Sequence, residues 1–566
     1  MAQPVDAAEQ PNAETEEETS ANLHVQSKDF VKMPSGKLEE WLKSVSPVAL
    51  EKVFKLPTWS YAFVTVLPEH KEKFKEAING IMCRDFNVTV KDGTPRKPRI
   101  TEEERAAKRQ KKNSFPPGFV PTLKDFKDKL KNRDPGDVLH KSAPLIDWSY
   151  ETQLGMKGTH IKTAVRAFTK QVAQKCKDLG QPCPPWTTPE WSKSLKAPLG
   201  CACPLDDIIG TPTESIEGYR NKCEFSIGWD AQGEVECGFV QRITDDGYGR
   251  LVASCEDVPL VPKVMKRLCQ AMRDCARSSK FSIFKRGKGW KSGHWRLVMA
   301  RYSGTELLVM VQTATASGEE KDQLAAEITT ALTQETLELN VVSIYLQFND
   351  EVSDAARPNA TLELIYGRPQ LRMQLLGLSF DIGPLSFYQA NSITCELLYG
   401  RALDWLQPDE EVAVLDVCCG VGTIGLCASR SCRKVIGIEL IPEAVESAKA
   451  NAALNTIDNT EWMVGKAEDV LPKLLEELDP ALSVSAVVDP PRPGLHHVVL
   501  RALRSCSQLS RIVYVSCNPD SLVEDVVKLT MPSENDEDPF VPIRAVAVDM
   551  FPHTVHCEMI LLLERS

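Results

Sequence analysis

The stretch VSCNP (515–519) contains a thiol at a position where it could act as a nucleophile. Cys517 directly follows residues 512–515, an apolar run that predicts a buried parallel strand. In open α/β sheets, ligands bind just beyond the carboxyl ends of the strands. A thiol there could attack a ligand held in the crevice. The alternative is a small buried apolar residue, which is the more common role of an isolated cysteine.

The stretch FPHTVHCE (551–558) contains an acid and two histidines that could move protons. Glu558 precedes the apolar run MILLL, so partial desolvation should raise its pKa. A raised pKa suits a general base that works near neutral pH. His553 and His556 are alternatives for this role, and each could equally be structural.

Two further stretches predict a cofactor pocket. In LDVCCGVGTIG (415–425), a predicted strand runs into a turn where Gly420 and Gly422 would let the backbone approach a ligand closely. Glu439 ends the next predicted strand, where a carboxylate can bind both hydroxyls of a ribose, although it could simply begin a helix. The full GxGxxG fingerprint is absent, which disfavours a nicotinamide or flavin. Residues 416–422 with Glu439 are typical of a pocket for S-adenosylmethionine.

The stretch VVDPPRPG (487–494) predicts a corner for the substrate beside that pocket. Asp489 ends a predicted buried strand, two prolines fix the backbone beyond it, and Arg492 could contact a base or a phosphate. Thiol, base and methyl donor together suggest methylation of carbon 5 of a uracil, which becomes nucleophilic when a thiolate adds to carbon 6. Cytosine-5 methylation predicts a proline directly before the nucleophile, where Ser516 stands.

The elements that must position these groups lie in residues 371–566, where predicted strands and helices alternate as in a doubly wound sheet. Residues 139–370 have the antiparallel pattern of a central α+β domain. Within it, KRGKGWKSGHWR (285–296) mixes basic and aromatic side chains that suit single-stranded RNA, or forms only a glycine-rich hairpin loop.

The amino-terminal part predicts a small α/β module at residues 29–99, with its first strand around residues 30–31. In it, YAFVTV (61–66) resembles the first ribonucleoprotein motif of RNA-recognition modules, whose aromatics stack on bases. Tyr61 and Phe63 would be those aromatics, or else ordinary core. We expect residues 1–28 to be disordered and residues 100–138 to be a basic linker, in which KRQKK (108–112) is a nuclear address, an RNA tether or only solvated.

Composition narrows the cellular setting. With 566 residues, the chain has room for three or four domains, and no apolar run is long enough to span a membrane. Its 18 cysteines are scattered, which indicates reduced thiols in the cytosol or nucleus. Four of them raise the alternative of a metal site: Cys176, Cys183, Cys201 and Cys203. Their spacing lacks the CxxC pairs of zinc and iron–sulfur sites, so we expect no metal. The net charge of −11 does not indicate nucleic acid, yet a local basic patch would suffice.

Five stretches in order resemble the RNA uracil-5-methyltransferase family: GPLSFYQANS (383–392), LDVCCGVGTIG, VVDPPRPG, VSCNP and FPHTVHCE. The resemblance implies that residues 371–566 form a Rossmann-like domain dependent on S-adenosylmethionine. It implies Cys517 as nucleophile and Glu558 as proton acceptor. It also implies a set of residues around the cofactor and the base: Gln389, Cys418, Gly420, Thr423, Glu439 and Asp489. The turn has CCGVG where the family often shows CGNG.

The resemblance further implies that the product is 5-methyluridine in the thymine loop of tRNA, reached by base flipping. Relatives that act on bacterial rRNA carry an iron–sulfur cysteine set and a small β-barrel; neither is evident here, which favours tRNA. The alternatives are methylation of rRNA or mRNA, or an RNA-binding chaperone on an inactive methyltransferase scaffold. Intact Cys517 and Glu558 favour the enzyme. We expect a monomer with tRNA as its partner, no membrane association, and residence in the cytosol and the nucleus.

Overall fold

The computed structural model describes residues 21–55, 60–92, 121–122, 125–126, 136–244, 247–287, 290–351, 353–354, 360–532 and 538–565. The predicted basic tract at 108–112 and most of the tail predicted to be disordered lie outside these residues. The chain divides into two compact units. The first comprises residues 1–105 with 229–234 and 243–249, and the second comprises the remainder.

In its described residues, the first unit contains a four-stranded antiparallel sheet and two α-helices. In chain order these are β1 (Ala21–Gln26), α1 (Ser35–Val45), β2 (Lys52–Phe54), β3 (Tyr61–Val66), α2 (Lys71–Ile78) and β4 (Thr89–Asp92), and the sheet order is β2-β3-β1-β4. Residues along β3 alternate between partly exposed and buried. Ala62, Val64 and Val66 therefore lie in the core with the helices, whereas Tyr61 and Phe63 lie on the opposite face.

The first strand of this unit lies earlier than the sequence predicted. We expected it around residues 30–31 and expected disorder up to residue 28, but β1 occupies Ala21–Gln26, and Lys28–Lys32 form a 3₁₀ helix. Within β1 only Ala21, Leu23 and Val25 alternate as buried apolar residues, so the pattern is too short to be distinguished beside the acidic tail. The last strand, predicted at residues 86–90, is β4 at Thr89–Asp92.

From residue 136 on, the described part of the second unit has three α-helices before its first strand, α3 (Val138–Ser142), α4 (Tyr150–Asp178) and α5 (Pro189–Ser194). The predicted helix at residues 150–176 is confirmed in α4. Ser149 caps it, because its hydroxyl accepts the backbone N–H of Thr152. None of the helices in the described part of the chain is long and apolar enough to cross a bilayer.

A central seven-stranded sheet follows, in which β10 is antiparallel to β5 and β11, and β13 is antiparallel to β12. Its sheet order is β13-β12-β11-β10-β5-β6-β7, β11 is parallel to β12, and β8 pairs with β9 as a separate hairpin. The elements in chain order are β5 (Lys222–Trp229), β6 (Val235–Ile243), β7 (Arg250–Ser254), α6 (Lys263–Ser278), β8 (Lys285–Gly287), β9 (Trp290–Ser292), β10 (Trp295–Tyr302), β11 (Leu307–Thr313), α7 (Glu319–Leu332), β12 (Val341–Phe348) and β13 (Leu362–Gly367).

A second seven-stranded sheet has the predicted doubly wound form. Its order is β18-β17-β16-β19-β20-β22-β21, parallel from β18 to β20, with β22 antiparallel to both of its neighbours, and β14 pairs with β15 as a separate antiparallel hairpin. The elements are β14 (Leu371–Leu375), β15 (Leu378–Ile382), α8 (Ser392–Leu406), β16 (Val412–Val417), α9 (Thr423–Ser429), β17 (Lys434–Glu439), α10 (Pro442–Leu454), β18 (Thr460–Val464), α11 (Ala467–Glu477), β19 (Ser483–Val488), α12 (His497–Ser505), β20 (Leu509–Ser516), α13 (Pro519–Thr530), β21 (Val541–Val548) and β22 (Glu558–Glu564). The inner strands are continuous apolar runs because helices cover both faces.

Helix α4 belongs with this doubly wound sheet, although the sequence placed it in the central domain at residues 139–370. Phe168 and Val172 of α4 share one core with Val526 of α13. Beyond the helix, Leu205 and Ile209 form parallel bridges with β21. Helical periodicity shows which face of α4 is apolar but not which sheet that face covers, so the boundary could not be predicted.

Candidate active site

Cys517 stands at the carboxyl end of β20, as the sequence predicted. The strand ends at Ser516, and the side chain of Asn518 caps α13 by accepting the N–H of Asp520 at 3.1 Å. The hydroxyl of Ser516 accepts the N–H of Asn518 at 3.1 Å, which tightens the turn. The strand, the turn and the helix start therefore leave Cys517 half-buried at the ligand-binding edge of the sheet.

Glu558 lies opposite Cys517 across two neighbouring strands. In the antiparallel register of β20 and β22, Ser516 pairs with Met559, so the next position brings Cys517 beside Glu558. Glu558 is only 3% exposed. A half-exposed thiol and a buried carboxyl group thus share one edge of the sheet, although the chain connects them through α13 and β21.

Burial and two neighbouring charged groups set the protonation of this pair. Burial raises the pKa of Glu558 to about 8, the Asp489 carboxylate adds to the rise, and the Arg492 guanidinium opposes it. This upward shift confirms the expectation from sequence. Burial also raises the pKa of the Cys517 thiol, as do Glu558 and Asp489, while the charge of Arg492 and a hydrogen bond from it favour the thiolate.

Two aspartates lie at the ends of the adjoining strands. Asp489 follows β19 directly, and burial raises its pKa to about 7. Asp416 of β16 is 1% exposed and accepts the N–H of Gly425 at 2.8 Å, and burial raises its pKa to about 7 as well. The low-dielectric surroundings of these acids are typical of a site that binds charged ligands.

In the glycine turn after β16, every second residue from 418 to 422 has a left-handed backbone conformation. The φ angles are +67° at Cys418, +56° at Gly420 and +80° at Gly422. A Cβ at Gly420 would meet nothing within 4 Å, so the turn faces open space there, as a ligand cradle requires. A Cβ at Gly422 would lie 2.7 Å from the ring of Trp462. Gly422 therefore serves packing rather than the close approach to a ligand that the sequence suggested.

Glu439 bridges this turn and the start of α10. One carboxylate oxygen accepts the N–H of Gly420 at 3.0 Å, and the other accepts the N–H of Ile441 at 3.0 Å. The side chains of Leu440 and Ile441 are 58% and 53% exposed beside it. The carboxylate thus orders the turn, and the exposed apolar pair next to it suits the flat face of a purine.

The remaining candidate residues connect to the same region. Gln389 is 7% exposed, and its backbone carbonyl accepts a hydrogen bond from the side chain of Asn221 at 2.8 Å. Its side-chain amide has no hydrogen-bond partner among the described residues, so it is available to a ligand. The hydroxyl of Thr423, the first residue of α9, lies 3.5 Å from the hydroxyl of Tyr399. Burial raises the pKa of Tyr399, and the charges of Cys395 and Asp489 add to the rise.

The two histidines differ in their surroundings. The backbone N–H of His553 donates to Gln153 Oε1 at 2.8 Å, which gives His553 a structural role. His556 is the more exposed of the two, but its ring is partly desolvated, and this desolvation together with the charges of Arg492, Lys157 and Arg220 lowers its pKa. The sequence reasoning did not single out Arg220, since no spacing rule connects it to a stretch so distant along the chain.

The four cysteines that raised a metal alternative are in the protein interior. Cys176 of α4 is buried in the same core as Cys201 and Cys203, and the half-buried Cys183 donates its S–H to the carbonyl of Ala173 at 3.6 Å. Within the ranges that the structure describes, no group of His, Cys, Asp or Glu side chains is arranged to hold a metal ion.

The sheet is Rossmann-like, with an antiparallel strand next to its last parallel strand, and its glycine turn is hydrogen-bonded to an acid on the next strand. Together these features define the class of S-adenosylmethionine-dependent methyltransferases. Comparison with known proteins narrows this class. A family model described as tRNA (Uracil-5-)-methyltransferase matches residues 352–566. The chain is 34% identical over 430 residues to tRNA (uracil-5-)-methyltransferase homolog A of Homo sapiens, covering 75% of this chain and 67% of that protein.

Homolog B of Danio rerio is 34% identical over 437 residues, covering 75% of this chain and 85% of that protein. The chain therefore belongs to the tRNA (uracil-5-)-methyltransferase family, and it is an S-adenosylmethionine-dependent enzyme. Among solved structures, the Pyrococcus abyssi tRNA (uracil-54, C5)-methyltransferase in complex with S-adenosyl-L-homocysteine is similar at 22% identity. Its TM-score is 0.49, covering 75% of this chain and 86% of that one.

Proposed function

We propose that this chain methylates carbon 5 of a uracil in tRNA through a temporary bond between Cys517 and carbon 6 of the base. The observation that carries the proposal is the pairing of the Cys517 thiol with the buried Glu558 carboxyl at the carboxyl edge of β20. Nucleophile and base must both reach one pyrimidine ring, and adjacent positions on neighbouring strands meet that condition.

The residues around the glycine turn fit the methyl donor. The turn faces open space at Gly420, an acid at the end of the second strand orders it, and the Gln389 amide is available to a ligand. When bound, S-adenosylmethionine supplies an electrophilic methyl group. The residues proposed to surround it and the target base are Gln389, Cys418, Gly420, Thr423, Glu439 and Asp489.

The first step forms a bond between Cys517 and the base. The partly exposed thiol loses its proton to solvent water, and the thiolate then adds to carbon 6 while the π electrons of the C5–C6 bond move toward carbon 5 and the carbonyl oxygen at carbon 4. Arg492 supports this step, because its guanidinium favours the thiolate against the burial that disfavours it. Carbon 5 is now nucleophilic and takes up the methyl group.

The second step removes the proton that remains on carbon 5. The Glu558 carboxylate accepts it, the C5–C6 double bond reforms, and the C6–S bond breaks to return the Cys517 thiolate. With a pKa of about 8, Glu558 is a stronger base than an exposed glutamate and still ionises near neutral pH. One methyl group is gained, one proton is lost, and the thiol emerges unchanged.

We expect two variants to separate these steps when the full chain is incubated with labelled S-adenosylmethionine and unmodified tRNA. Cys517→Ala should abolish methylation with near-normal tRNA affinity, because it removes the nucleophile alone. Glu558→Gln should accumulate a methylated protein–RNA adduct on a denaturing gel, because the last proton stays in place. Cys183→Ala, at a half-buried cysteine outside the site, is the matched control and should keep full activity.

Digestion of the RNA to nucleosides identifies the product as 5-methyluridine, and parallel reactions with rRNA and mRNA test the alternative substrates. Continued turnover by Cys517→Ala would exclude the covalent route. Binding of tRNA without any methylation by the unaltered chain would favour the chaperone alternative.

We further propose that the amino-terminal unit is an RNA-recognition module that stacks bases on three rings. His24 of β1 lies next to β3, with ring centroids 4.7 Å from Tyr61 and 5.4 Å from Phe63. These rings lie on the sheet face opposite the helices. Strand β4 pairs with the other edge of β1, where Lys91 is opposite His24. Flat rings beside a cation suit single-stranded RNA.

A further inference from the structure

The segment that ends at Glu558 rests on helix α4. We call residues 549–557, which connect β21 to β22, the base loop, because Glu558 follows it directly. The base loop has no regular hydrogen-bond ladder along most of its length, so side chains from elsewhere must determine its shape.

Lys157 of α4 makes a fully buried contact with the base loop. Its Nζ donates to Asp549 Oδ1 at 2.5 Å and to the carbonyl of Phe551 at 2.9 Å. The same Asp549 oxygen accepts the N–H of Phe551 at 3.0 Å, and neither charged side chain is exposed to solvent. One ammonium group therefore joins the side chain and the backbone of the first turn of the base loop.

Two further residues of α4 lie on the same face, one turn before and one turn after Lys157. Gln153 accepts the N–H of His553, the loop residue with a φ of +65°. His160 Nδ1 lies 3.8 Å from the Sγ of Cys557, the residue directly before Glu558. The helix thus contacts the base loop at its start, its middle and its end.

A buried ion pair is a poor source of stability, since well-packed apolar residues often stabilise a core as well or better. Its directional hydrogen bonds can instead specify one geometry. The pair between Lys157 and Asp549 spans the helix and the base loop, so the geometry it specifies is the path of the chain toward Glu558.

We propose that Lys157 is a positioning residue for Glu558: its ion pair with Asp549 fixes the base loop, so that the Glu558 carboxylate reaches the proton on carbon 5. This inference rests on the proposed function of Glu558 as the base. Loss of the pair should therefore slow proton removal more than methyl transfer. The methylated covalent adduct would then accumulate relative to the released product.

The test uses the full chain, labelled S-adenosylmethionine and unmodified tRNA. A single Lys157 substitution would leave a buried unpaired carboxylate and could prevent folding, so the main variant is Lys157→Met with Asp549→Asn, which removes both charges. We expect the ratio of methyl label in the denaturant-resistant adduct to label in free product to rise about tenfold. In steady state, kcat should fall while KM for tRNA stays within about twofold.

Val172→Ala is the matched control, because Val172 is buried on the same helix away from the base loop. It should lower the thermal midpoint without changing the adduct ratio. A second variant, Lys157→Gln with Asp549→Asn, keeps hydrogen-bonding groups at both positions and should restore part of the normal ratio. It also replaces the first variant if that one does not fold.

A normal adduct ratio in a folded double variant would overturn the proposal, as would an equal rise in Val172→Ala. Glu558→Gln separates this failure from failure of the underlying mechanism. If Glu558→Gln traps the adduct and the Lys157 variants do not, only the positioning role is wrong. If Glu558→Gln turns over normally, the assignment of the base is wrong.

Discussion

Glu558 is an acid kept almost entirely out of water beside a thiol and a second carboxylate. Burial and the Asp489 carboxylate both disfavour the charged form, and the Arg492 guanidinium offsets only part of the effect. An exposed glutamate would be fully ionised at neutral pH but would be a weak acceptor for a proton on carbon. The burial of Glu558 therefore lowers the fraction of its carboxyl group that is ionised at neutral pH, and it makes the carboxylate a stronger base.

This protonation predicts how the reaction depends on pH. Because the carboxylate form accepts the proton, decay of the methylated adduct should speed up as pH rises through about 8 and level off above it. The ionised fraction grows about tenfold from pH 7 to pH 9, and so should the decay rate. Rapid-quench measurement of adduct decay isolates this step from the Cys517 addition. A flat profile across that range would contradict the assignment.

Among the elements, the strand ends could be predicted from sequence, whereas contacts between distant segments could not. The apolar runs before Asp489 and Cys517 are short, continuous and followed by turn residues, so their positions in a parallel sheet could be predicted. The placement of Glu558 beside Cys517 depends on the antiparallel insertion of β22, for which the sequence carries no local signal. The contact of Lys157 with Asp549 depends on which sheet α4 covers, and it was equally hidden.

The two glycines of the turn after β16 should respond differently to substitution. Gly422→Ala adds a Cβ within 2.7 Å of Trp462 at a φ of +80°, and we expect a loss of about 2–4 kcal/mol in stability. Gly420→Ala meets nothing within 4 Å, so only the backbone cost of about 1–2 kcal/mol applies. Its main effect should be a higher KM for S-adenosylmethionine, since the new methyl group enters the cradle.

Chemical denaturation with activity assays separates the two effects. An unchanged KM in Gly420→Ala, or equal destabilisation by both substitutions, would argue against the cradle.

For the whole molecule, recognition and chemistry should be separable. If the amino-terminal unit stacks bases, Tyr61→Ala with Phe63→Ala should weaken tRNA binding at least tenfold, at about 1–3 kcal/mol for each stacked base. The rate of a single turnover at saturating tRNA should stay near normal, because the substitutions do not touch the methyltransferase sheet. Thr65→Ala, on the same face of β3, is the matched control. Equal affinities in a filter-binding titration would show that the rings are only structural.

Helix α4 and the bridges at Leu205 and Ile209 place the chain in the core of the doubly wound sheet before the central sheet begins. The chain then leaves, builds the central sheet, and returns at β14. The central sheet is therefore an insertion with two chain connections to its host, and Met299 and Met310 of this sheet share a core with Val414 of β16. An inserted domain is less free to move than a domain joined through a single linker, so any RNA contacts that the central sheet makes would keep a fixed position relative to the catalytic edge.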